Sequence, residues 1–64
     1  MYFERNVRKL RQMLAEDGFT LERGGHVRSH EKWARGSNIV MVPRTKEVEK
    51  ADTLKNIYRQ AGWL

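Results

Sequence analysis

An α+β domain of order α-β-β-β-α, with a three-stranded antiparallel sheet and both helices on one of its faces, is the fold this sequence predicts. Three observations carry it. Apolar residues recur at helical spacing near each end of the chain, and short alternating or β-branched runs separated by glycines fill the middle. With 64 residues there is room for one domain (1–64) and one thin core.

The first helix is expected from about residue 4 to 17. Phe3, Val7, Leu10 and Leu14 form its apolar stripe, Met13 widens it, and Arg5, Arg8, Lys9, Arg11 and Gln12 occupy the other sides. Gly18 ends it, because glycine accepts the left-handed conformation that closes a helix. Phe19 to Arg23 alternates apolar and polar residues and reads as a half-buried strand. Gly24-Gly25 marks a turn. Val27 to Ala34 reads as the second strand, with Arg28, His30 and Lys32 on one face and Ser29, Glu31 and Trp33 on the other.

Arg35 to Asn38 is the next turn, and Ile39-Val40-Met41-Val42 the third strand, ended by Pro43, which has no amide to donate. Residues 44–50 read as a polar loop. Asp52 or Thr53 is expected to cap a last helix whose stripe is Leu54, Ile57, Tyr58 and Ala61, with Gly62 closing it. Two short hairpin links make the sheet antiparallel, so both helices cover one face and the other stays open. Alternation puts Val40 and Val42 in the core and Ile39 and Met41 on the open face. Trp33 belongs with the core; Trp63 reads equally well as a helix-end plug and as a partner contact.

Composition narrows the partners. Thirteen Lys and Arg against eight Asp and Glu leave a net charge of +5, and the pI is near 10.1. Arg outnumbers Lys, which favours forked contacts with phosphate. Such a surface suits polyanions, nucleic acid first. The chain has no cysteine, which excludes disulfides and thiolate metal sites and fits a reducing compartment. Its longest apolar run has four residues, far short of the ~20 that cross a bilayer. The expectation is a cytoplasmic protein with no membrane partner. Paired carboxylates, a phosphate-cradling glycine loop and metal-ligand spacing are all missing, so neither cofactor nor metal is expected.

Five stretches are familiar as an ordered set. They are Glu16-Asp17-Gly18-Phe19, Leu21-Glu22-Arg23, Ser29-His30-Glu31-Lys32-Trp33, Val40-Met41-Val42-Pro43 and Thr53 to Gly62. The last resembles a T-L-x-x-I-L-x-Q-A-G ending and is the most specific. Together they resemble the HicA toxin family of toxin–antitoxin pairs, from about Val7 to Leu64.

The resemblance implies a fold related to double-stranded-RNA-binding domains and a type II toxin that cuts mRNA as a metal-independent endoribonuclease. It also implies a HicB-type antitoxin that covers the active face, with the free toxin expected to be monomeric. The family's single His on the second strand matches His30 in its Ser-His-x-x-aromatic setting, whereas His26 beside the glycine turn does not match. His30 is therefore the expected catalytic residue. Ser29, Arg28, Lys32 and Arg44 are expected to contact RNA, Lys32 doubling as a candidate second proton carrier. Ile39 and Met41 are expected to meet the antitoxin. Arg28 stands where many members carry Gly, the hairpin before it is longer than usual, and Thr45 stands where a second His is common. The competing reading is a non-catalytic RNA-binding module.

Overall fold

A computed structural model describes residues 2–23 and 29–64 of the chain. Helix α1 (Val7–Glu16), strands β1 (Thr20–Leu21), β2 (His30–Arg35) and β3 (Asn38–Pro43), and helix α2 (Ala51–Ala61) follow in the expected order. The strands lie β1-β2-β3 with both pairings antiparallel. No helix among the described residues is long and apolar enough to cross a membrane.

Val7, Leu10 and Leu14 of α1 join Leu54, Ile57, Tyr58 and Ala61 of α2 in one buried cluster, which also takes in Phe19, Trp33, Val40 and Val42. The helices therefore share one face of the sheet. Register makes the two faces explicit. His30 lies opposite Pro43, Lys32 opposite Met41 and Ala34 opposite Ile39, and these pairs look away from the helices. Trp33 lies opposite Val40 and Glu31 opposite Val42, on the covered side. The assignment of Val40 and Val42 to the core holds, as does the open position of Ile39, which is 37% exposed. Leu21 pairs with Trp33, yet it remains 47% exposed because β1 is two residues long and forms an edge.

Several boundaries differ from expectation, each for a local reason. Helix α1 starts at Val7 rather than near residue 4, because the Asn6 side chain accepts a bond from the Lys9 amide and caps it there. Phe3 thus precedes the helix, and its ring packs 4.7 Å from that of Tyr58. Strand β2 starts at His30, with Ser29 in a turn; Val27, Arg28, the Gly24-Gly25 turn and His26 lie outside the described residues. His30 is consequently the first residue of its strand, not a mid-strand one. Its partner Pro43 has no amide to donate, so the ladder ends there, closed by a bond from the Arg44 amide to the Ser29 carbonyl at 2.6 Å.

Neither Asp52 nor Thr53 caps α2. Lys50 holds the cap position without a side-chain bond, and Asp52 sits in the first turn, where its charge faces the positive end of the helix. Gly62 closes α2 at φ 80°. Trp63 is the helix-end plug: it lies edge-on to Tyr58 at 5.2 Å and its indole donates to Asp17 at 2.8 Å.

Glu31 brings a carboxylate to the covered side of the sheet, its side chain 12% exposed. Arg11 reaches across from α1 and donates twice to its carboxylate, at 3.0 and 3.1 Å, and the Trp33 indole adds a third bond at 3.2 Å. A forked guanidinium matches that geometry and an ammonium does not. Arg11→Ala should lower the unfolding free energy by about 1–2 kcal/mol, since it strands a half-desolvated carboxylate. Arg11→Lys should recover only part of the loss. An unchanged urea midpoint for Arg11→Ala would show that the pair contributes nothing.

Candidate functional site

The stretch 44–50, expected to be a plain polar loop, is anchored at both levels of structure. Val48 is buried to 2% exposure and belongs to the core. The Val7 amide donates to the Lys46 carbonyl at 3.0 Å and the Val48 amide to the Arg5 carbonyl at 2.9 Å, with Asn6 and Glu47 bridged between them. Arg5 then clamps the loop's far end, its guanidinium donating to the Val48 and Glu49 carbonyls, both at 2.9 Å. Thr45 turns its hydroxyl to the Glu47 carbonyl at 2.8 Å. A loop bonded this way makes a firm wall.

That wall faces His30. Between them, and bordered by the start of α2 at Lys50 and Thr53, lies a groove of about 520 Å³. His30 and Pro43 form its sheet side, and Thr45, Lys46 and Glu47 its loop side. His30 is exposed, so the imidazole meets whatever enters. Lys46 and Lys50 supply positive charge, and Glu47 and Glu49 supply negative charge. The groove can therefore hold a polar ligand against an accessible acid–base side chain.

The expected site residues do not all lie together. Ser29, His30 and Arg44 come together where β2 begins and β3 ends, joined by the Arg44–Ser29 backbone bond. Lys32 lies on the same open face two residues along, and its ammonium is 3.5 Å from the Glu22 carboxylate, so part of its charge is already engaged. Glu31 points to the other face and takes no part in the groove. Ile39 and Met41 lie farther along β3 on the open face. Arg28 lies outside the described residues.

Lys46, Lys50 and Thr53 line the groove without having been expected there. No pattern marks them; the one available signal was Val48, a β-branched apolar residue isolated in a polar stretch. Among the described residues, no three His, Asp or Glu side chains come together in a way that can hold a metal ion.

Comparison with known proteins adds the family. Neither the curated proteins nor the solved structures gave a match. A family model described as the HicA toxin of bacterial toxin-antitoxin matches residues 7–63, from the first turn of α1 to Trp63 beyond α2. With the match running over all five elements, the chain belongs to the HicA toxin family, one half of a toxin–antitoxin pair.

Proposed function

We propose that this toxin is an endoribonuclease that cuts mRNA in the His30 groove without a metal ion. The observation that carries the reading is the groove itself: an exposed imidazole at the end of a paired strand, faced by a bonded loop bearing two lysines. RNA brings its own nucleophile. His30 takes the proton of a ribose 2′-OH, and the freed oxygen attacks the adjacent phosphorus. The bond to the 5′-oxygen breaks, that oxygen leaves with a proton, and a 2′,3′-cyclic phosphate remains. The attacked phosphate gains negative charge on the way, which Arg44 and the groove lysines offset. Ser29 and Arg44 bracket His30, and Lys32 adds a cation two residues along the strand face; Arg28, outside the described residues, is kept in the scheme as an RNA contact. Lys32 is the second proton carrier in this scheme.

The antitoxin, of HicB type, docks on the open sheet face through Ile39 and Met41 and buries His30 beneath it. Exposure of Ile39 and the shared face of Met41 with Lys32 support that placement.

Cleavage of a short single-stranded RNA should proceed undiminished in excess EDTA, and the products should carry a 2′,3′-cyclic or 3′-phosphate. A substrate with a 2′-deoxy sugar at the cut position should resist, because the attacking oxygen is gone. Cutting of the deoxy substrate, or a magnesium requirement for the chemical step, would refute the mechanism.

A further inference from the structure

The outer side of α1 carries a cationic concavity that the cleavage scheme does not use. A pocket of about 480 Å³ opens between α1 and the loop after β3, lined by Arg8, Lys9, Arg11 and Gln12 from the helix and by Thr45 and Lys46 from the loop. Arg11 is engaged with Glu31. Arg8 and Lys9 are exposed. The first turn of α1 has no acidic residue, so the positive end of the helix adds to the same side. None of the pocket's lining side chains is a carboxylate, in contrast to the His30 groove with Glu47 and Glu49.

The decisive feature is a shared wall. Thr45 and Lys46 line both the α1 pocket and the His30 groove. A polymer running through the groove and over Lys46 meets Arg8 and Lys9 next. The loop between the two is held by backbone bonds to Arg5 and Val7, so the relation of the two cavities is set by the fold. A repeating polyanion fits this arrangement better than an isolated anion does, because the cations follow one another along a path.

We propose that Arg8 and Lys9, linked through Lys46 to the His30 groove, form a track that anchors the sugar–phosphate backbone of single-stranded RNA beyond the cut site. The proposal rests on the ribonuclease reading above. Cations on phosphates hold RNA without regard to sequence, so the track supplies affinity and direction while any base preference is set in the groove. An acidic segment of a protein would also answer these charges, but it would not need the wall shared with the groove.

The test is binding of a single-stranded RNA of about twelve nucleotides, within the usual span of a backbone-tracking surface, with 2′-O-methyl sugars so that it cannot be cut. Three proteins are compared by fluorescence anisotropy across a salt series: the unaltered chain, Arg8→Ala/Lys9→Ala, and Lys55→Ala/Arg59→Ala. The last removes the same charge from exposed positions on α2. Alanine suits both helices, and circular dichroism checks that they persist.

Arg8→Ala/Lys9→Ala should weaken binding roughly tenfold at low salt and reduce the slope of log affinity against log salt by about 1.4, the value for two lost phosphate contacts on a single strand. The α2 control should lose less than about twofold. Equal losses in the two variants would mean that only the overall charge attracts RNA, and the track would be wrong. Unchanged RNA binding by Arg8→Ala/Lys9→Ala, with weakened antitoxin binding, would overturn it and give the surface to the protein partner. If the unaltered chain itself fails to bind RNA, the ribonuclease reading falls and the track with it.

Discussion

Producing this chain alone in a bacterium should arrest growth, and His30→Ala should restore it while lowering RNA cleavage by about 10²–10⁴-fold, the usual contribution of a general acid–base group. The size of the effect follows from the site's economy. His30 is the only imidazole among the described residues, and its side chain is exposed at the groove rather than packed in the core. On the proposed mechanism its removal takes away the proton acceptor and little else. The backbone at this position is held by neighbours that keep their bonds: the Arg44 amide to the Ser29 carbonyl, and the β2–β3 pairing opposite Pro43.

Folding should be preserved, and an unaltered circular dichroism spectrum and urea midpoint are the checks. His26→Ala should behave nearly as the parent chain. A folded His30→Ala protein that arrests growth as fully as the parent would remove His30 from the chemistry.

The architecture was legible where periodicity and burial agree. Leu10 and Leu14 on α1, Leu54, Ile57 and Ala61 on α2, and the Val40–Val42 pair on β3 all went where the pattern sent them, because each sits on an element long enough to repeat it. The boundaries were less legible because partners far away in sequence set them. Asn6 and Glu47 face each other, so the chain before α1 is extended although Phe3 continues the helical stripe. Pro43 ends the ladder for His30 as well as for itself, which a reading of β2 alone does not reveal.

The site was legible in part. His30 was singled out by its Ser-His-x-x-aromatic setting, but the ordering of the 44–50 loop that faces it was not foreseen. Its order depends on Val48 entering the core and on the Arg5 guanidinium bonding two carbonyls some forty residues later. Single-residue anchors of that kind leave no period. Trp63 is a similar case: its position is fixed by Asp17 and Tyr58, and nothing in the last two residues announces either partner.

Met41→Glu should weaken binding of the cognate antitoxin at least tenfold, about 1.4 kcal/mol, while leaving toxin stability nearly unchanged. Met41 lies opposite Lys32 on the face that neither helix covers, half-buried beside the exposed Ile39. A standard interface takes about 800 Å² from each partner, a large share of a domain whose whole accessible surface is 4601 Å². On the proposed placement, an inhibitor that blocks His30 and binds tightly draws that area from the open sheet face. In the proposed complex the apolar pair would supply the buried centre, and Lys32 and Arg44 the charged rim.

A carboxylate at Met41 would be desolvated in that centre, an expensive change without a partner charge. In the free toxin the same carboxylate meets water and stands near Lys32, so the fold loses little. The backbone is secured independently, since the Met41 amide donates to the Gln60 side chain on α2 at 3.0 Å. The measurement is affinity by titration calorimetry beside a thermal melt of the free variant. The association rate of the parent pair should also fall with salt, because acidic groups on the antitoxin answer the rim cations. A Met41→Glu toxin that melts like the parent and binds the antitoxin with equal affinity would show that the inhibitor sits elsewhere, on the outer faces of α1 and α2.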